Sequence, residues 1–483
     1  MTIAASNKSP GLYLEVLFGV GAASAADAPI DVLLIGHKVT GSSATADTPF
    51  AVNSPDEVAD ACGAGSELHL MAKAAFKANP TVTLYALPLA EPSGGTKATE
   101  EIVFSGTSSA DGSVTVQIRG ESITVDIPSG TAAADAATLV SDAINDQSDW
   151  PVTAAVATAT ITISAKTKGT RGNNITCGSS GTATGLTITH VAGATLSSGA
   201  GSDTITTALA AIAPHTYDRI ALAFDDATTI GTVRTALRTQ AGPTIGSRQQ
   251  AIFGTRDTYA NAVALATGRN ESRMQCVWHY NADDTPAEVA AAVAAWRANA
   301  ESIDRAHPFA VQFGDIIPGL RPQRTEADWP TSTEMMNALN NGVTPIQVLA
   351  DGTCGIHRGV TTRSLDALSN PNYAVLDTSK VTVCDFIADE LAVNWPSFAA
   401  ENRKLASTED PDELVPGVTN LAGVKSWVMG ILEKWDPEYL DAVDEDDVSC
   451  TRASSPAGRA QTVIELRPVD GLYQLDTTIR QTA

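Results

Sequence analysis

The side chains best suited to chemistry are scattered through this chain of 483 residues. Its histidines stand at His37, His69, His190, His215, His279, His307 and His357, and no two are four apart, so the paired helix ligands of a zinc hydrolase are missing. His279 precedes Asp283 and Asp284, but Asn281 to Pro286 reads as a turn and helix cap. Cys62, Cys177, Cys276, Cys354, Cys384 and Cys450 include no C-x-x-C pair and read as buried free thiols, Cys354 and His357 sharing an ordinary hairpin. A serine nucleophile would need a G-x-S-x-G elbow with a base and an orienting acid. The nearest imitation, Gly106-Thr107-Ser108, falls among short strands.

Glycine-rich loops offer little more. Gly19-Val20-Gly21 has Ser24 where a dinucleotide fingerprint needs its third glycine. Gly63-Ala64-Gly65-Ser66 and Gly199-Ala200-Gly201-Ser202 each precede a helix, where exposed amides can hold an anion, yet helix starts favour Gly and Ser in any case. There is no Walker lysine, and the acidic run Asp441 to Asp447 lacks the central glycine of a calcium loop. No cofactor or metal is expected.

Charge points the same way. A net charge of -24 and a pI near 4.6 argue against nucleic acid, which is held by clustered Lys and Arg, and favour a partner with basic patches. No apolar run has the roughly 20 residues a membrane helix needs. Lys8, Leu12 to Val20 and Ala22 to Ala28 imitate a signal peptide, but Glu15 interrupts the apolar stretch, and Leu12, Leu14, Val16 and Phe18 alternate as in a strand.

The elements that must position these residues read as strand and helix in alternation. Ile30 to Gly36 is a buried strand, Ser54-Pro55-Asp56-Glu57 opens a helix, Ser66 to Ala78 is a second helix and Thr81 to Ala86 a second strand. The alternation resumes after residue 200: strands at Arg219 to Phe224, Gln250 to Phe253 and Met274 to His279, helices at Asp203 to Ala213, Thr228 to Gln240, Thr258 to Thr267 and Pro286 to Arg305. Between these halves, Ala, Gly, Ser and Thr fill 57 of residues 101 to 200, a density that separates the block from its surroundings. Its strands include Ser113 to Ile118 and Ser122 to Ile127, a hairpin turned at Arg119-Gly120-Glu121, and its helix, Thr131 to Asn145, sets Leu139, Val140, Ala143 and Ile144 on one side. Such an insertion suits a separate surface domain whose ends lie together. Helices at Ser332 to Asn340, Val381 to Val393 and Gly423 to Lys434 follow. Residues 401 to 450 hold thirteen acids against four Lys or Arg, and residues 451 to 483 three against four, so charge changes sign at the tail.

Asn340 to Arg363, NNGVTPIQVLADGTCGIHRGVTTR, followed by the strand Gln461 to Val469 and Gly471-Leu472-Tyr473-Gln474-Leu475-Asp476, resembles the C-terminal part of contractile phage tail sheath proteins, especially the Mu-like group. The resemblance implies an α/β multidomain fold: a mostly parallel doubly wound sheet core, subtilisin-like in outline without a triad, at 29–95 plus 201–320. It also implies an inserted β-rich domain at 96–200, a C-terminal α+β domain at 321–465, and extended terminal strands at 1–28 and 466–483. It further implies a structural subunit that polymerises helically around a tail tube and contracts to drive the tube through a cell envelope. Its partners would be copies of itself, the tail tube protein, and baseplate and tail terminator proteins, with no nucleic acid and no membrane insertion. Its place would be the virion tail, assembled in the host cytoplasm, or a released tailocin-like particle.

By that resemblance, arms carrying Leu12, Leu14, Val16 and Phe18 and carrying Leu472, Leu475 and Ile479 would add strands to neighbouring subunits, with Ile346, Val348 and Ile356 on the receiving hairpin. Lys425, Glu433, Lys434, Asp436 and Glu438 would face the tube. The alternative is an α/β enzyme with a crevice at the C-terminal ends of its strands.

Overall fold

The computed structural model describes residues 29–190, 195–408, 414–454 and 458–475. The chain first lays down β1 (Asp31–His37), β2 (Phe50–Val52), α1 (Pro55–Cys62), α2 (Glu67–Ala78) and β3 (Thr83–Leu89). Ser54 and Ser66 cap the two helices through their hydroxyls, as their place before Pro55 and Glu67 requires.

The insertion follows: β4 (Lys97–Gly106), β5 (Gly112–Ile118), β6 (Glu121–Ile127), α3 (Ala133–Asn145), β7 (Val152–Ala157), β8 (Thr160–Lys168), β9 (Cys177–Gly181) and β10 (Leu186–His190). These form a four-stranded sheet in the order β10-β4-β8-β7 and a three-stranded sheet, β6-β5-β9. Ile102, Phe104, Val116, Val140, Ile144, Trp150 and Ile163 make their common core. Leu139 is 43 % exposed, not on the buried side of α3 where the sequence spacing put it; the stripe is Ala136, Ala137, Val140 and Ile144.

The main sheet resumes with α4 (Thr206–Ile212), β11 (Arg219–Leu222), α5 (Ala227–Gln240), β12 (Gln250–Thr255), α6 (Tyr259–Thr267), β13 (Met274–Trp278), α7 (Pro286–Ile303), α8 (Ser332–Asn340), β14 (Val343–Val348) and β15 (Cys354–Ile356). Eight strands stand in the order β15-β14-β13-β12-β11-β1-β3-β2, and the ladders from β14 to β3 are parallel. Alternate residues of each strand go to opposite faces. Val32 and Leu34 meet α1, α2 and α7, while Leu33 and Ile35 join the cluster of α4, α5 and α6.

A smaller unit completes the chain: α9 (Thr378–Glu401), β16 (Lys404–Leu405), β17 (Val418–Thr419), α10 (Leu421–Glu433), β18 (Val448–Arg452) and β19 (Ala460–Ile464). Its core joins Val383, Ile387 and Leu391 to Val428, Leu432, Tyr439 and Leu440. Buried charge ties it to the sheet, for Arg273 grips Asp385 through two bonds of 2.6 Å and Arg219 bonds both Glu301 and Thr382. The chain is therefore a mixed α/β protein of several packed units.

Candidate functional site: a filled crevice and the assembly edges

In a parallel α/β sheet the natural binding site is the crevice at the strands' C-terminal ends, where the order reverses. Here that point lies between β1, whose helices return to β3, and β11 on its other side. His37 closes β1, Phe224 and Asp225 follow β11, and Glu67 opens α2. Arg171 of the insertion fills the space between them. Its Nε donates to Glu67 at 2.6 Å, another of its nitrogens pairs with Asp203, and Nη2 lies 2.7 Å from His37 Nδ1, with the Phe224 ring below at 4.8 Å. Since Arg can only donate, His37 Nδ1 accepts and its Nε2–H donates to Asp203 at 2.6 Å. Burial opposes the charge on Arg171, but Glu67 and Asp203 outweigh it and raise its pKa; His37 and Arg171 in turn hold the Asp203 carboxyl below its usual range despite burial.

A second arginine enters further along. Arg119 at φ 50 and Gly120 at φ 73 make the tight turn between β5 and β6, both in the left-handed region that suits a two-residue hairpin. The turn drives the Arg119 side chain, 4 % exposed, onto Glu288 in the first turn of α7, with Nε–Oε2 at 3.1 Å and a second bond from Nη2. Glu288 also closes the capping box of α7 with Thr285. Around the pair, Thr176 and Arg324 bond Asp283 at 2.7 and 2.6 Å, and the Arg321 amide donates to Asp284. Burial and the neighbouring Glu288 push the Asp284 carboxyl up to about 6. His279 donates to the Arg321 carbonyl at 2.7 Å, and burial pushes its pKa down to about 4. His279, Asp283 and Asp284 thus bind the chain's own segments.

Gly65 marks a third seam, for at φ 72 its missing Cβ would stand 2.2 Å from the Trp150 carbonyl oxygen. A polar cavity of about 530 Å³ remains beside Asn174, Asp225, Arg256 and Asn281, but Asn174 donates to Asp225 and accepts from Arg256 across it. Sequence reading missed Arg119 and Arg171 as anchors. The one available signal was an arginine in a hairpin turn, inside a block with few charges.

The other expected residues fall in several places. Leu12, Leu14, Val16, Phe18 and Ile479 lie outside the described residues. Ile346 and Ile356 are fully buried and Val348 nearly so, on strands of the main sheet and not of a C-terminal domain. The outer side of β15 is already taken, since Ile356 N donates to the Asp315 carbonyl and Ile317 N to that of Cys354. Within this subunit the outer side of the hairpin is therefore occupied, and its apolar residues are buried in the core sheet. Open edges occur instead on β18 and β19, which pair only with each other among the described residues and leave Val463 59 % exposed. Leu472 and Leu475 are 73 % and 81 % exposed. Glu433, Lys434, Asp436 and Glu438 lie exposed at the end of α10 and the turn after it, with Lys425 half-buried one face away; Lys434 reaches Glu390 at 3.4 Å and the Trp435 ring at 4.1 Å. Five cysteines are buried and Cys450 on β18 is half-buried.

Residues 198–362 match the phage tail sheath protein central domain. The chain is 28 % identical over 364 residues to the Mu-like prophage FluMu tail sheath protein of Haemophilus influenzae, an alignment covering 74 % of this chain and 72 % of the relative. In fold it is similar to a chain of the anti-feeding prophage baseplate in its contracted state, with a TM-score of 0.51 at 12 % identity over 99 % of this chain and 98 % of that one. The sheath tail protein of Desulfitobacterium hafniense aligns at a TM-score of 0.46 and 14 % identity over 95 % of this chain and all of that one. The middle of this chain thus matches the phage tail sheath protein central domain, and most of its length is similar to a Mu-like prophage tail sheath protein.

Proposed function

We propose that this chain is the structural subunit of a contractile tail sheath, polymerising helically around a tail tube and contracting to drive that tube through a target cell envelope. The observation that carries this is the kinship with a Mu-like tail sheath protein across nearly three quarters of the chain. A crevice occupied by the protein's own arginines supports a role without turnover. The subunit associates with copies of itself, with the tube, and with baseplate and terminator proteins in the virion tail or a tailocin-like particle.

The core is read as a doubly wound sheet, supported by helix clusters on both faces. The divisions at 1–28, 29–95 with 201–320, 96–200, 321–465 and 466–483 carry one amendment, that 343–356 joins the core sheet. Terminal arms add to a neighbour's sheet, and the open β18–β19 pair is the better receiver. Glu433, Asp436 and Glu438, with Lys425 and Lys434, face the tube through weak, releasable polar contacts, since exposed ion pairs contribute only about 0 to 1 kcal/mol each.

Negative-stain imaging of the purified protein tests the reading. Hollow helical sleeves or stacked rings are expected at raised concentration. A preparation that stays as discrete particles, alone and with tail tubes, overturns it.

A further inference from the structure

Side chains from residues 308–313, from Arg358 after β15 and from Lys380 on α9 close on one short piece of the tail. Lys380 Nζ reaches Asp470 at 2.5 Å. Gly471 lies against Pro308, where a Cβ would stand 2.5 Å from the proline's own. The Gln312 amide donates to the carbonyls of both Leu472 and Tyr473, each at 3.2 Å. The Tyr473 ring sits 3.8 Å from the guanidinium carbon of Arg358 and 5.7 Å from the ring of Phe313. Arg358 is fixed in turn, with two bonds of 2.8 and 2.9 Å to the buried carboxylate of Asp377. A cation over an aromatic face, itself clamped by a bidentate acid, is a built socket and not a chance contact. Immediately around it, Leu472 and Leu475 turn bare apolar side chains outward.

We propose that Tyr473 pins the C-terminal arm to its own subunit, so that the segment reaching a second copy of this chain begins at Gln474. The proposal rests on the arm-exchange reading above. The pin fixes where the arm leaves its own subunit. Without it, the last firm tie is the Lys380–Asp470 ion pair, and the chain is freed from Gly471 onward. Effective concentration falls as the tether lengthens, and the lost ordering of residues 471–473 adds to that.

The full chain carrying Tyr473→Ala, and separately Gln312→Ala, is compared with the parent by hydrogen exchange over residues 470–475 and by the concentration at which polymer sediments. Gln312 is exposed, so its truncation leaves the core intact. Both variants should exchange faster in that segment and polymerise at a concentration about two- to tenfold higher. Tyr473→Phe, which keeps the ring over Arg358 but loses the hydroxyl's bonds to Asp377 and Arg358, should fall between the parent and Tyr473→Ala. A chain ending at Tyr473 separates the two ideas: it should remain folded and pinned but fail to polymerise. If it polymerises normally, the arm reading fails while the exchange data still judge the pin. Parent-like exchange in Tyr473→Ala, or parent-like polymerisation when the truncated chain is inert, overturns the pin.

Discussion

Replacing Arg119 by alanine should undock the insertion from the main sheet. Arg119 and Glu288 are 4 % and 7 % exposed, so the change leaves a carboxylate in a dry seam. Two charges about 4 Å apart at an effective dielectric of 20 attract by about 4 kcal/mol, and breaking a buried pair on one side typically costs about 3–5 kcal/mol. Two retained bonds from Thr285 soften it, while Asp284 close by sharpens it. We expect Arg119→Ala to lose about 3 kcal/mol at pH 7, Glu288→Gln less, and Arg119→Met with Glu288→Gln together to recover most of the loss, because neither charge is then stranded. Urea unfolding read beside hydrogen exchange over residues 112–127 measures both the cost and its location. A penalty below about 1 kcal/mol at pH 7, or one spread evenly over the chain, would refute the clamp.

Other perturbations probe separate parts. His279 stays neutral in the fold to about pH 4, whereas the unfolded chain takes up a proton near 6.5, so stability should fall by on the order of 3 kcal/mol as pH drops through that window. His279→Gln should flatten that limb, and a parent-like acid profile would show another group responsible. Gly65→Val should loosen the seam at Trp150 and lower the melting temperature far more than Gly130→Ala, which has a similar φ of 86 but open space around it; equal effects would mean that backbone strain alone acts. Charge reversal at Glu433, Asp436 and Glu438 should impair assembly on tubes in a salt-dependent way while the subunit stays folded, and unchanged co-assembly at low salt would remove this surface from the tube interface.

Much of the main sheet was legible because its strands are short continuous apolar runs between capped amphipathic helices. Ser54 and Ser66 stood where their helices begin. What the pattern could not give was which side of a boundary an element joins. Ile346 and Ile356 alternate like an exposed hairpin, yet they complete the core, since a parallel partner supplied from residues 274–278 is a long-range contact with no local trace. The helix after Asp377 runs on to Glu401 through Pro396, where the sequence ends it at Val393. The insertion's composition and hairpin turn were readable, and its tethering was not: Arg119 and Arg171 look like ordinary solvated charges until distant Glu288, Glu67 and Asp203 are set beside them. Removal of residues 96–200 should cost stability, because Glu288, Glu67 and Asp203 would each lose an arginine partner.

The two arginine anchors also divide the insertion into an inner wall under constraint and an outer wall that is not. A side chain at Gly130 would meet open space, and Ala134, Asp135, Thr138, Leu139 and Asp142 of α3 are exposed. Sequence can drift on that outer wall, or be exchanged between lineages by recombination, while the seam beneath keeps its charges matched.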